Sequence, residues 1–285
     1  MPEERTYIDD IVSAIFRKEN HRKLVLKEAE RRIAIEINGL FKKILAKKTE
    51  KRDWWKNELI LNNPSKDELI WFGGLNSKTI FNILGTTKID ECRKLCAENY
   101  DVIINLVKEL PEEFPKPTIV LSWKGKKISL TENESFMLVR SLMAMVKTIT
   151  GGIWSEVGKQ AGDKFLKKLF EKLGIPEGPL YSSPLGGAYY VLNVEERGRS
   201  MDAVVYFKNQ RVLGIEIKIL GAGNPEIVDE AISRLGRGDV FLVGAITDLM
   251  RRKTEEKGIT VCLLKDAPEG LYSLLKEKGL PVKQP

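Results

Sequence analysis

Apolar residues in the first 110 positions recur at intervals of three and four. Ile8, Ile11 and Ile15 open this series, and it continues from Leu24 to Ile44. Such spacing is typical of an α-helix that buries one face, because an α-helix turns once every 3.6 residues. The pattern predicts a mainly helical N-terminal region.

A β-hairpin and two helices are predicted next. Short apolar runs at 118–123 and 127–130 flank a Lys-Gly-Lys turn, which is typical of a hairpin. The first helix begins near Thr131, because Thr131 and Glu134 have the spacing of a capping box. A second helix is expected from Ile153 to Leu173, after Thr150-Gly151-Gly152.

The last hundred residues change to strand-length apolar runs that alternate with helical segments. Strands joined through crossover helices require a mixed sheet covered by helices. We therefore expect an α/β fold with a mixed sheet sandwiched by helices, and two domains at residues 1–130 and 131–285. The predicted elements are strands at 187–194, 202–207 and 212–220, a helix at 225–235, a strand at 239–247, a helix at 248–257, a strand at 258–264 and a helix at 267–278.

The chain of 285 residues carries 47 Lys and Arg against 40 Asp and Glu, a formal net charge of +7. A positive surplus favours a polyanionic partner such as DNA or RNA, because bound lysines release the counterions of phosphates. A solvated Lys- and Glu-rich surface explains the same composition equally well. No apolar run approaches the roughly 20 residues that span a bilayer, and the N-terminus has no signal pattern. We expect a soluble, cytoplasmic protein with no membrane partner.

Three cysteines and one histidine limit the chemistry that this chain can perform. A small, odd number of cysteines builds no disulfide framework. His21 by itself nearly excludes a His-based zinc site and a Ser/His/Asp triad. The chemistry must therefore depend on carboxylates, lysines or hydroxyls.

Three charged residues interrupt two otherwise apolar predicted strands. Asp202 lies in the first strand, while Glu216 and Lys218 share one face of the second. Ionised groups on an interior strand are costly unless they are paired or bind a metal ion. A structural Glu–Lys pair is one explanation. The other is a site where two carboxylates and a lysine hold a hard divalent cation, usually Mg²⁺, for phosphodiester hydrolysis.

This arrangement, Asp202 followed after 13 residues by Glu216-Ile217-Lys218, resembles the motif of the PD-(D/E)XK nuclease superfamily. Most type II restriction endonucleases belong to that superfamily. The resemblance covers about residues 151–264 and includes the order of elements. The sequence departs from the motif at Met201, where the family name expects proline.

The resemblance implies a restriction-endonuclease-like core in which Asp202, Glu216 and Lys218 are catalytic and the two carboxylates bind Mg²⁺. Many members carry a further glutamate on the helix before the sheet, and Glu156 matches that place. A solvated helix glutamate is the alternative for Glu156. A second Glu-x-Lys at 255–257, with Asp239 as its upstream acid, has a similar spacing, but it falls at a polar helix end.

The implied activity is Mg²⁺-dependent hydrolysis of double-stranded DNA by a type II restriction enzyme that cuts a short specific sequence. A homodimer is expected if the enzyme cuts both strands of a palindrome. A structure-selective repair or junction nuclease of the same fold is one alternative. A non-catalytic DNA-binding regulator is the other.

The register of the two strands decides whether this site can form. A two-residue turn at Asn209-Gln210 would place residue 202 opposite residue 217, so that Asp202 faces away from Glu216. The site therefore requires a three- or five-residue loop, a β-bulge, or a kink at Asp202. Gly214 is the candidate for such an irregularity.

Two groups of residues are candidates for contacts with DNA. Residues 65–85 resemble the helix-turn-helix of tetracycline-repressor-type regulators, and an ordinary helical hairpin is the alternative. Its second helix would offer Asn76, Ser77, Lys78, Thr79 and Asn82 to the major groove. The second group flanks the predicted catalytic strands and consists of Arg197, Arg199, Asn224, Arg234 and Arg237. Ordinary surface arginines are the alternative for each of the four arginines.

Overall fold

The computed structural model describes residues 6–51, 53–113, 118–178, 187–196, 199–220 and 225–285. The chain divides into two compact units. The sheet unit consists of Met1–Lys27 and Ile153–Pro285, and the helical unit consists of Glu28–Gly152. The division into domains at 1–130 and 131–285 stays a prediction.

Helices dominate the N-terminal half and alternate with strands in the C-terminal half, which confirms the predicted α/β class. The helices are α1 (Tyr7–Phe16), α2 (Arg22–Lys47), a π-helical segment (Trp55–Leu61), α3 (Lys66–Phe72), α4 (Ser77–Leu84), α5 (Ile89–Glu109), α6 (Glu132–Leu173), α7 (Pro225–Arg234), α8 (Asp248–Lys257) and α9 (Ala267–Glu277). The strands are β1 (Val120–Trp123), β2 (Lys126–Ser129), β3 (Ala188–Glu196), β4 (Arg199–Phe207), β5 (Gln210–Lys218), β6 (Val240–Val243) and β7 (Thr260–Leu263).

The predicted pair of short helices in the helical unit is α3 and α4. Ser65 caps α3 in a capping box with Glu68, and the Asn76 side chain caps α4 by accepting from the Thr79 amide at 3.0 Å. Gly73 ends α3 so close to α5 that a Cβ there would lie 2.6 Å from the Cys96 Cβ. The turn between the two helices therefore depends on glycine.

Helix α6 runs unbroken through Gly151 and Gly152 for 42 residues, so the prediction of two separate helices was wrong. The buried residues on either side, Met145 and Ile153, continue one i, i+4 series across the glycines. Burial of that stripe outweighs a cost of about 1 kcal/mol for each glycine in a helix. The helical spacing of the buried residues therefore predicts one continuous helix more reliably than the two glycines predict a break.

The same helix contains an 18-residue window that is apolar enough to cross a membrane by length and composition. Met137 and Met145 belong to the core of the helical unit. Phe165 is buried and stacks on Phe16 in the sheet unit, with ring centroids 4.9 Å apart. These contacts make α6 a core helix of the fold.

The sheet has the strand order β3-β4-β5-β6-β7. β3, β4 and β5 are antiparallel, while β5, β6 and β7 are parallel and are connected through α7 and α8. Ile217 on β5 faces α6, where a Cβ at Gly162 would lie 3.4 Å from its Cγ2. Glu216 and Lys218 alternate with Ile217 along β5 and therefore share the other face of that strand.

Candidate active site

A one-residue β-bulge sets the register of the strands that carry the predicted catalytic residues. β4 and β5 are joined by a tight turn at Lys208–Asn209, and both residues have positive φ. Tyr206 pairs with Arg211, but Val205 pairs with Leu213. The residue between them, Val212, is therefore the extra residue of the bulge.

The bulge places Asp202 on the same face as Glu216. Ala203 pairs with Ile215, and one further step in this register sets residue 202 opposite residue 216. Without the bulge, Asp202 would lie opposite Ile215 and face the other side of the sheet. The irregularity that the site requires is present at Val212 and not at Gly214, the position expected from the sequence.

Gly214 has a different role. Its amide donates to Asp239 Oδ1 at 2.7 Å, and a Cβ there would lie 2.7 Å from Met201 Sδ. Asp239 is buried and also accepts from Arg211 at 2.7 Å. This aspartate therefore holds β5 against the start of β6. Its hydrogen bonds argue for a structural role and against the competing Glu-x-Lys motif at 255–257.

Asp202 and Glu216 form a pair of acidic side chains at the middle of the sheet. Asp202 is half-buried, and its Oδ2 accepts from the Ile217 amide at 2.7 Å. The Glu216 side chain is fully buried, and no donor among the described residues hydrogen-bonds to its carboxylate oxygens. Glu216 can share a hydrogen bond with Asp202 only when one of the two acids is protonated. Unsatisfied buried carboxylate oxygens are rare in folded proteins and mark a site that lacks a partner.

The environment of Glu216 disfavours its charged form. Burial raises the pKa of Glu216 to about 8, and the negative charge of Asp202 adds to this rise. Lys218 and Arg234 oppose it, with their nitrogens 3.6 Å and 3.7 Å from Glu216 Oε2. These separations are too long for hydrogen bonds, so neither cation satisfies the carboxylate.

Lys218 and Arg234 approach Glu216 from different elements. Lys218 extends from β5 on the same face as Glu216, and about a quarter of its side chain is exposed. Arg234 ends α7 and also pairs with Glu230 on that helix. The site thus contains two cations beside the buried carboxylate, and about a quarter of each side chain is exposed.

Asp163 is an acidic neighbour of the site that was not predicted from the sequence. Burial raises the pKa of the Asp163 carboxyl, and the charge of Asp202 raises it further, while a hydrogen bond from Asn193 opposes the rise. Asn193 lies on β3 at the register position of Asp202, between the pairs Leu192–Ala203 and Val194–Met201. Its φ of +51° is a conformation that non-glycine residues seldom adopt within a strand.

The sequence offers no reason to select Asp163, because it is one of many charged residues on this helix. It follows the predicted Glu156 by two helical turns. Seven residues correspond to about 10 Å along the helix axis. Glu156 is half-buried on α6, and its place in the site stays a prediction.

The paired carboxylates fit a divalent cation by their chemistry. Two carboxylates close enough for one to raise the pKa of the other repel each other, and a hard cation between them removes that repulsion. The orphaned oxygens of Glu216 supply free ligand positions. Among the described residues no three acidic, His or Cys side chains form a preassembled cluster, so solvent and substrate would complete the coordination.

A comparison with protein-family models found one match over most of the chain. The model of the CfrBI restriction endonuclease family matches residues 5–251. The chain belongs to this family. It is a type II restriction endonuclease, which cleaves DNA at specific sites, and enzymes of this kind are typically metal-dependent. No curated protein and no solved structure matches the chain.

The match with the CfrBI family extends from the helical region through β6 into α8 and includes Asp202, Glu216 and Lys218. It confirms the type II restriction enzyme over the junction nuclease and the DNA-binding regulator. The predicted endonuclease activity and the DNA substrate are confirmed, and the roles of Mg²⁺ and of the site residues stay predictions.

The predicted DNA-contact residues of this CfrBI-family enzyme include exposed and half-buried side chains. In the helical unit, Ser77, Lys78 and Asn82 are exposed on α4, whereas Asn76 and Thr79 are half-buried and form its N-terminal cap. Both predicted helices are present, as a helix-turn-helix and an ordinary helical hairpin equally require, so the role of α4 in reading DNA stays a prediction.

The remaining predicted contacts flank the catalytic strands in the sheet unit. Arg234 lies beside Glu216. Arg237 is exposed, and its side chain packs against Gly258: its Cγ lies 3.0 Å from the place where a Cβ of residue 258 would be. Arg199 is the first residue of β4. Arg197 and Asn224 lie outside the described residues.

Proposed function

We propose that this enzyme hydrolyses phosphodiester bonds of double-stranded DNA with Mg²⁺ held by Asp202 and Glu216. The observation that carries this proposal is the β-bulge at Val212, which brings the two acids onto one face. The orphaned oxygens of Glu216 support it further. When bound, Mg²⁺ supplies Lewis acidity at the scissile phosphate and lowers the pKa of a bound water.

The protein's own residues prepare the site for that reaction. Asp202 is held in place by the Ile217 amide, which fixes one of its carboxylate oxygens. Glu216 keeps a proton near neutral pH until a cation replaces it, because burial disfavours its charge. A loaded site is therefore less costly than an empty, fully ionised one.

Lys218 is proposed to orient the attacking water and to offset the negative charge that develops on the phosphate. Its ammonium group is compact, mobile and partly exposed, so it can turn from Glu216 towards substrate. Arg234 is held by Glu216 and Glu230. We infer that Arg234 balances the charge of Glu216, whereas Lys218 contacts the reacting group.

Asp163 and Asn193 are proposed to position Asp202 and to add negative charge beside it. Their hydrogen bond joins α6 to β3 at the register position of Asp202. The cleavage of both strands of a palindrome needs two active sites, which a two-fold homodimer supplies. We therefore propose a homodimer that acts in the cytoplasm.

The test is cleavage of long duplex DNAs by three single variants, Asp202→Ala, Glu216→Ala and Lys218→Ala, in the presence of Mg²⁺. We expect discrete fragments from the unsubstituted chain and no cleavage by the variants. DNA binding should survive in the two carboxylate variants, because removal of a repulsive charge leaves the phosphate-binding groups in place.

The matched control is Glu255→Gln, which removes an exposed carboxylate from the competing Glu-x-Lys on α8. This variant should cleave normally. Near-normal cleavage by Asp202→Ala would overturn the assignment of the site.

A further inference from the structure

The hairpin of β1 and β2 carries an unusual concentration of lysines around one exposed tryptophan. Trp123 pairs with Lys126 next to the turn, and its side chain is 45% exposed. The turn residues Lys124 and Gly125 both have positive φ, 49° and 78°, which defines a tight two-residue loop. Lys127 follows on β2. Three lysines thus lie at the tip of one short β-ribbon.

The indole of Trp123 contacts two lysines, Lys124 of the hairpin and Lys42 of α2. Lys124 Nζ lies 4.9 Å from the ring centroid, and Lys42 Nζ on α2 lies 5.8 Å from it. Both distances fall within the range of cation–π attraction. The ring therefore holds an ammonium group of α2 beside one of the hairpin. Lys126 donates to the Leu45 carbonyl at 2.7 Å and ties the hairpin to α2.

These lysines differ from two lysines near the C-terminal end of α2, Lys43 within it and Lys48 just after it, in lacking acidic partners. Lys43 pairs with Glu68 at 2.6 Å and Lys48 pairs with Glu134 at 2.6 Å. By contrast, Lys42, Lys124 and Lys127 are exposed and form no ion pair with the described residues.

Acidic residues are also missing from the sequence around this surface. Residues 118–130 contain no acidic residue, and α2 contains none between Glu36 and its end at Lys47. Uncompensated positive charge in one place implies a partner that supplies negative charge.

We propose that Lys42, Lys124 and Lys127 form a docking surface for the phosphate backbone of duplex DNA, with Trp123 as the side chain that positions Lys42 and Lys124. The inference rests on the DNA substrate of the proposed function and names a surface in the helical unit that binds it. A two-stranded β-ribbon is narrow enough to enter the major groove. Its lysines then lie against the phosphates on the groove walls.

The experiment is equilibrium binding of a fluorescent duplex to the full chain in EDTA, at a series of salt concentrations. The variant is Lys42→Gln with Lys124→Gln and Lys127→Gln. We expect the slope of log Kobs against log salt to fall by about 0.9 for each lysine that no longer binds a phosphate, or about 2.7 for three. The matched control replaces three exposed lysines of the same unit, Lys66, Lys94 and Lys108, with glutamine. Its slope should remain that of the unsubstituted chain.

A second variant tests the role of the indole. Trp123→Leu keeps every lysine but releases Lys42 and Lys124 from the ring, so affinity should fall several-fold at an unchanged salt slope. An unchanged affinity would remove the positioning role. Circular dichroism of each variant checks that the helices remain folded.

The docking surface is overturned if the triple variant keeps the slope and affinity of the unsubstituted chain, or if the control triple variant is weakened as much. In the first case an acidic protein surface would be the remaining partner. Binding in EDTA is measured without cleavage. Failure of this proposal therefore shows in binding alone, whereas failure of the proposed active site shows in cleavage by Asp202→Ala.

Discussion

Glu216→Gln should stabilise the protein at alkaline pH in the absence of divalent cations. The wild-type carboxyl has a pKa of about 8 when folded, against an ordinary value of 4.5. An acid whose folded pKa is raised holds its proton longer in the folded state, so the free energy of unfolding falls as pH rises from about 4.5 to 8. The fall is complete above the folded pKa.

The size of the effect follows from the shift. Each pKa unit corresponds to about 1.4 kcal/mol, so the shift of Glu216 amounts to about 5 kcal/mol as an order of magnitude. Glutamine is uncharged at every pH and removes this dependence. The variant should match the wild type near pH 4.5 and exceed it by several kcal/mol at pH 9.

Urea unfolding of both proteins in EDTA at pH 5, 7 and 9 measures this difference. Subtraction of the two profiles cancels the titration of all other groups that Glu216 does not affect. A variant that is equally stable or less stable at pH 9 would refute the argument that Glu216 is buried without a partner. In that case Lys218 and Arg234 would stabilise the Glu216 carboxylate strongly, although their nitrogens lie 3.6 Å and 3.7 Å from Glu216 Oε2.

Two glycine substitutions should change stability in opposite directions, as measured by the same urea unfolding at pH 7. Gly152→Ala should stabilise the protein by about 1 kcal/mol, because the residue lies inside α6 and nothing lies within 4 Å of an added Cβ. Gly73→Ala should destabilise it by about 1–3 kcal/mol, because an added Cβ would lie 3.0 Å from the Cys96 Cα of α5. Equal effects of the two substitutions would contradict this reasoning.

The sheet could be predicted from sequence because its strands are short apolar runs bounded by clear turn and helix signals. The predicted strand at 212–220 corresponds to β5 at Gln210–Lys218, and the predicted helix at 248–257 is α8. Charged residues inside such runs stand out, since burial of a charge is costly. This contrast selected Glu216 and Lys218 for the candidate site.

Two features could not be read in this way. The glycines at 151 and 152 favour a break in α6, and only the packing of Met145 and Ile153 in their cores overrides that preference. Asp163 is one of many charged residues on a segment of α6 whose sequence suggests solvent exposure. The neighbouring sequence therefore does not distinguish Asp163 from Glu156 as a candidate site residue. The hydrogen bond of Asp163 with Asn193 and its nearness to Asp202 arise only in the folded chain.

Spacing between motif residues along the chain does not determine whether their side chains meet. The 13 residues between Asp202 and Glu216 are compatible with either face of the sheet, because side chains alternate with a period of two. A tight turn at Lys208–Asn209 alone would separate the two acids, and one extra residue at Val212 brings them together. The bulge leaves one residue of β5 unpaired in the β-ladder, and burial of an ionised Glu216 carboxylate lowers the stability of the fold further. Two unfavourable features at one place, beside the positive φ of Asn193, fit the proposed catalytic site better than a purely structural Glu–Lys pair.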